Sequence, residues 1–133
     1  MTAKRIEAVL RPASVAVVGA SATPGSIGDV LCRNLREGGF RGPVFYVNPR
    51  HASIGDEPSY PDVRSLPQAV DVAIIATPPP TLPTVLEHCG ERGVRGAIIV
   101  SAGFREGGEE GAACERAMLQ VARRYGLRLL GPN

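Results

Sequence analysis

Along this chain, short unbroken apolar runs alternate with stretches whose apolar positions recur every three or four residues, the pattern of strands alternating with helices. Residues 14–18 are small or β-branched throughout, and 44–47, 70–76, 96–100 and 127–130 share that character, which predicts five strands. A short lead-in helix is expected over 2–10, stopped by Arg11 and Pro12. After Ser26, the residues Ile27, Val30, Leu31 and Leu35 fall at helical spacing. Asp29, three positions after Ser26, makes a variant of the capping box, and Gly38-Gly39 ends that helix. A second helix carries Leu82, Val85, Leu86 and Cys89 and ends at Gly90 or Gly93; a third covers 112–125, with Ala113, Ala117, Leu119 and Val121 apolar and Gly126 as its cap.

Continuously apolar strands separated by helices require a parallel sheet covered on both faces. Right-handed crossovers then lead to an α/β doubly wound five-stranded sheet, expected in the order 3-2-1-4-5. That order puts the switch point between the first and fourth strands, so loops 19–28 and 101–108 should flank a ligand crevice, with 48–51 and 76–80 extending the rim. The segment from 50 to about 62 reads as a loop long enough to suggest a functional role.

The first strand empties into Gly19-Ala20-Ser21 and, through Pro24-Gly25-Ser26, into a helix. Small residues at a helix N-terminus let an anion approach backbone N–H groups backed by the helix dipole, so this turn reads as a phosphate cradle. With 133 residues, 44% hydrophobic, 21% charged and a net charge of +2, the chain is read as one soluble domain. Its charges form no block of the kind that binds nucleic acid, and no apolar run reaches membrane length. Cys32, Cys89 and Cys114 are odd in number and widely spaced, which fits free thiols and a cytoplasmic location; without a CxxC pair, zinc is not expected.

Missing features narrow the nucleotide. A dinucleotide fingerprint needs G-x-G-x-x-G and an acid about 20 residues on. Here Ala20 to Pro24 follow Gly19, so the second and third glycines are absent from their places, and the second strand ends in Asn48-Pro49-Arg50 rather than an acid. NAD is disfavoured, whereas Arg50 suits a ribose phosphate, present in both NADP and coenzyme A. No GK[ST] follows the glycines, and Ser101 lacks the flanking pattern of an esterase elbow.

The ordered set Val17-Val18-Gly19-Ala20-Ser21, Pro24-Gly25, Ile27-Gly28, Asn34-Leu35, Gly39-Phe40, Val47-Asn48-Pro49, Ser101-Ala102-Gly103-Phe104, Gly107 to Gly111 and Gly131-Pro132-Asn133 resembles the N-terminal CoA-binding domain of NDP-forming acyl-CoA synthetases. That domain is similar to the succinyl-CoA synthetase α-subunit and also heads multidomain protein lysine acetyltransferases. The resemblance covers essentially the whole chain. It implies a Rossmann-like domain, spanning 1–133 and excised from a larger protein, that holds the nucleotide end of coenzyme A. By position, Gly19, Ala20, Ser21, Pro24, Gly25, Ser26 and Ile27 match the phosphate loop. Asn48, Pro49 and Arg50 match the adenosine site, Thr77, Pro78 and Pro79 the third loop, and Ser101, Ala102, Gly103 and Phe104 the pantetheine side. The family often has lysine where Ser26 and Arg50 stand.

The same resemblance implies that acyl-phosphate chemistry belongs to a following phosphohistidine domain and nucleotide handling to an ATP-grasp domain, so the expected partners are CoA or acyl-CoA and those domains. This chain is then expected to bind without turnover. The alternative is an NADP-binding domain of an oxidoreductase or redox-sensing regulator. His51, just after the Asn-Pro-Arg turn, is in reach of a phosphate but reads first as a solvated loop histidine; His88, in a helix, is assigned no role, and Glu106, Glu109 and Glu110 are explained by a helix N-terminus.

Overall fold

The computed structural model describes residues 7, 9–100 and 108–131. Four parallel strands carry the apolar runs expected to form the sheet centre: β1 (Val15–Val18), β2 (Val44–Val47), β5 (Val72–Ile75) and β6 (Gly96–Ile99). The short β3 (Ser53–Ile54) and β4 (Glu57–Tyr60) precede β5, and β7 (Arg128–Leu130) closes the far edge. Helices α1 (Ile27–Glu37), α2 (Leu82–Glu91) and α3 (Gly108–Tyr125) connect them. The tail of the lead-in helix is seen where Arg11 N–H donates to the Glu7 carbonyl at 2.8 Å.

The doubly wound parallel class is as expected, but the sheet has seven strands in the order β3-β4-β2-β1-β5-β6-β7 rather than five in the order 3-2-1-4-5. The difference lies in 50–62. Those residues turn back through a two-residue antiparallel pairing, Ser53 with Pro58 and Ile54 with Glu57, and β4 then pairs parallel with β2, Tyr46 with Ser59. The strand at 72–75 therefore pairs with β1, Val15 opposite Val72, instead of lying beyond β2. So short a hairpin, with Pro58 inside it, has no periodicity to read; proline is tolerated there because the pair lies at a sheet edge.

All four residues of β1 are buried, because side chains alternate between two covered faces. Ala16, Ala73 and Ala97 lie side by side across β1, β5 and β6 and are fully buried, a low row that lets helices approach closely. On that face the core gathers Leu82, Leu86 and Cys89 of α2 with Met118, Val121 and Ala122 of α3. The opposite face is smaller, with Cys32 of α1 packed on Val17, Ala20, Tyr46 and Ile54.

Two helix faces differ from expectation. In α3 the buried residues include Met118, Val121 and Ala122, while Leu119 is 47% exposed. In α1 Ile27 and Val30 are exposed and the sheet instead meets Gly28, Asp29 and Cys32. Small residues let α1 sit low on the sheet end, which rotates its larger apolar side chains outward.

Helices α2 and α3 meet where a Cβ on Gly90 would overlap the Tyr125 ring. The Tyr125 hydroxyl donates to Glu87 Oε1 at 2.5 Å, and Arg124 pairs with the same carboxylate at 3.2 Å, fixing the ring over Gly90. Alanine normally gains about 0.5–1 kcal/mol over glycine inside a helix. Gly90→Ala is expected to lose about 1–3 kcal/mol instead, through overpacking against Tyr125, as read by denaturant unfolding. Burial also pushes the Cys89 thiol from 9.0 up to about 12. The native state keeps this proton while the unfolded chain loses it above about pH 9, so the contribution to stability is complete below pH 9 and is lost as pH rises toward 12. Across that window the stability advantage of the wild type over Cys89→Ala should shrink by up to about 1.4 kcal/mol per pH unit. Parallel stability curves for the two proteins above pH 9 would contradict this.

Candidate functional site

The carboxyl ends of β1, β2 and β5 form one rim, and the β1–α1 turn stands at its centre. Gly19 leaves β1 with φ +93°, and a Cβ there would press on Ala76 and Thr77 at 3.2–3.3 Å, so the ends of β1 and β5 are in close approach. A Cβ on Gly28 would overlap the Gly19 carbonyl oxygen, so the first turn of α1 rests directly on the end of β1. Gly28 thus performs the helix-against-strand packing of a third fingerprint glycine, later in the chain than the fingerprint places it. The sequence alone placed no such glycine.

Between these two contacts the turn closes on itself. Ser21 Oγ accepts from Thr23 N–H at 2.9 Å, and Ser26 N–H and Oγ–H both donate to the Thr23 carbonyl, at 3.2 and 2.8 Å. Ser26 caps the helix by accepting from Asp29 N–H at 3.1 Å. The expected capping box is completed one residue away: the Asp29 carboxylate accepts from Gly25 N–H at 3.2 Å rather than from Ser26. Gly25 has φ +80° with open space around its Cβ position. Because α1 begins at Ile27, the Ile27 and Gly28 amides are its first two donors and have no intrahelical acceptor. Small residues, open space and unspent donors at a helix start suit an anion.

Beneath the turn, Asp29 is the sole buried charged side chain among the described residues, 5% exposed, and it pairs with Arg33 at 2.9 Å. Cys32 lies next to it, and burial pushes its thiol up while a Ser21 backbone hydrogen bond works the other way. Neither Asp29 nor Arg33 figured in the sequence reading as a site residue, although their i,i+4 spacing beside a cap was a usable signal.

The β2 end joins the turn through Asn48, whose Nδ2 donates to the Ala20 carbonyl at 2.9 Å and whose Oδ1 accepts from Arg50 N–H at 2.8 Å. The Nδ2 end of the amide ties the two loops together while the Oδ1 end closes the local turn, and Pro49 and Arg50 project exposed beyond it. Arg50 has no ion pair among the described residues. The β5 end continues through Thr77, Pro78 and Pro79 into a 3-10 turn (Pro79–Thr81), where Thr81 Oγ1 lies 2.6 Å from the Pro78 carbonyl and 2.7 Å from Thr77 Oγ1.

The structure therefore brings together the predicted residues of three loops: Gly19 to Ile27, Asn48 to Arg50 and Thr77 to Pro79. It also moves the crevice. The switch point lies between β1 and β5 rather than between β1 and β6, so loop 76–81 faces the β1–α1 turn. Ser101, Ala102, Gly103 and Phe104 lie outside the described residues. No cluster of metal-ligating side chains occurs among the described residues, and no described helix is long and apolar enough to cross a membrane.

Residues 13–133 match the family of CoA binding domains. The chain is 45% identical over 128 residues to ADP-forming acetate–CoA ligase I of Archaeoglobus fulgidus, covering 96% of this chain and 18% of that protein. It is 44% identical over 132 residues to the α subunit of ADP-forming acetate–CoA ligase I of Pyrococcus furiosus, covering 96% of this chain and 29% of the subunit. Among solved structures, the apo dinucleotide forming acetyl-coenzyme A synthetase 1 of Ca. Korarchaeum cryptofilum is similar, with a TM-score of 0.87 and 39% identity over 96% of this chain and 28% of that one. A putative oxidoreductase of Bacillus subtilis, 18% identical with a TM-score of 0.52, shares the fold alone. The chain spans less than a third of these ligase relatives, and it belongs to the CoA binding domain family.

Proposed function

We propose that this chain binds coenzyme A through its 3′-phospho-ADP portion, as the CoA-binding module of an NDP-forming acyl-CoA synthetase or a related acyltransferase. The observation that carries the reading is the β1–α1 turn. Gly28 seats the helix start on β1, the Ile27 and Gly28 amides have no acceptor among the described residues, and the adjacent β2 end offers Arg50 where a dinucleotide binder would place an acid.

On this reading the pyrophosphate lies over Gly19 to Ile27, held by backbone N–H groups and the helix dipole. Pro49 and Arg50 receive the adenosine, with the Arg50 guanidinium on the ribose phosphate, a charge-assisted contact that can be bidentate. Asn48 keeps the two loops in register. Thr77, Pro78 and Pro79 line the crevice on the β5 side, and Ser101 to Phe104 complete the pantetheine side. Acyl transfer and nucleotide chemistry fall to further domains of a longer parent protein, of the phosphohistidine and ATP-grasp types that the acyl-CoA synthetase resemblance implies.

Titration calorimetry with CoA, dephospho-CoA, NAD and NADP tests the assignment. CoA should bind more tightly than dephospho-CoA and both more tightly than NAD; NADP binding without CoA binding would overturn it. Arg50→Ala should weaken CoA by about ten- to a hundredfold, the worth of a hydrogen bond to a charged group, and leave dephospho-CoA nearly unchanged. Equal losses for the two ligands would remove Arg50 from the ribose phosphate.

A further inference from the structure

A carboxylate buried under an anion cradle is electrostatically awkward. Asp29 sits in the first turn of α1, its side chain 8% exposed, and its Oδ2 accepts from Gly25 N–H within the turn that would hold a phosphate. Its negative charge favours the helix start but opposes any second anion brought there, and partial burial weakens the screening of that repulsion. The same Oδ2 accepts from Arg33 at 2.9 Å. Arg33 is half exposed, and Asp29 is its one ion-pair partner among the described residues.

We infer that Asp29 and Arg33 are a positioning pair for the phosphate turn, in which Asp29 fixes the Gly25 amide to the helix and Arg33 cancels the charge that this fixing introduces. The inference rests on the proposed binding of a phosphate-bearing ligand over Gly19 to Ile27 and assigns Arg33 a role through Asp29 rather than through contact with the ligand. The division of labour has a physical logic. A carboxylate is a strong acceptor for the Gly25 N–H and locks the turn better than a neutral group. Without a counter-ion it would repel the phosphate that the turn is shaped to receive.

Charge cancellation makes a prediction that direct contact does not: removing both partners should nearly restore what removing Arg33 destroys. CoA affinity of the intact chain would be measured by calorimetry for Arg33→Ala, Asp29→Asn, the double variant and Arg33→Lys, with thermal unfolding of each unliganded protein. Arg33→Ala should bind CoA roughly ten- to a hundredfold more weakly, the scale of an uncompensated neighbouring charge. Asp29→Asn keeps a weaker acceptor for Gly25 while removing the repulsion, and should bind within about threefold of the wild type. The double variant should return to within about threefold of wild type, and Arg33→Lys should retain most of the affinity.

An Arg33→Ala protein with wild-type affinity would overturn the inference. So would a double variant as weak as Arg33→Ala, which would place Arg33 on the ligand itself, or an Arg33→Lys protein as weak as Arg33→Ala. Should the double variant fail to fold, the contrast between Arg33→Lys and Arg33→Ala decides. Absence of CoA binding by the wild type would instead remove the proposed function together with this pair's role, a result distinguishable from wild-type binding that Arg33→Ala leaves untouched.

Discussion

The first turn of α1 lies on the end of β1 with no room for a side chain between them, and the architecture of the rim depends on that contact. Because Gly28 has only hydrogen where any other residue would meet the Gly19 carbonyl, the helix axis drops toward the sheet and its N-terminal amides reach the strand end. The same descent buries Asp29 and Cys32 and turns Ile27 and Val30 outward. A residue with a Cβ at this position would lift the helix start, and the amides, the Ser26 cap and the Asp29 tie to Gly25 would move with it.

The second constraint is lateral. A Cβ on Gly19 would stand only 3.2–3.3 Å from Ala76 and Thr77, so the ends of β1 and β5 are joined closely, and Asn48 joins the β2 end to Ala20 by a hydrogen bond. Three loops from three strands thus become one surface, each braced by internal bonds: the Ser21–Thr23–Ser26 turn, the Asn48–Arg50 turn and the Thr77–Thr81 turn. Ordering such a surface during binding would cost entropy, and bracing it in advance reduces that cost.

The legibility of these features in the sequence follows the length of the signal that encodes each. The central strands are long apolar runs buried on both faces, so β1, β2, β5 and β6 could be read directly, as could the cap at Ser26. The β3–β4 hairpin could not, because two residue pairs, one of them with a proline, leave no period. Missing it shifted the inferred strand order and with it the switch point, although the parallel doubly wound class stood. In the site, loops were found by their composition, whereas the close fit of Gly28 and the burial of Asp29 arise only from the helix's descent onto the sheet; the Asp29–Arg33 pair is carried by its i,i+4 spacing alone. Gly28 was visible as a residue of the resembling motif, but its contact with Gly19 was not.

The moved switch point changes the route a bound ligand would take. With loop 76–81 directly across from the β1–α1 turn, an extended ligand leaving an anion held on that turn would meet Thr77 to Pro79 first. Consecutive prolines fix the backbone there without offering N–H donors, so that wall constrains by shape rather than by hydrogen bonding. On the proposed reading, polar recognition is concentrated at the nucleotide end, over α1 and at Arg50, while the β5 side guides an extended arm past a stiff surface. A module built this way would hold its carrier by the invariant end and leave the acyl-bearing end to be shaped by whatever stands beyond β6.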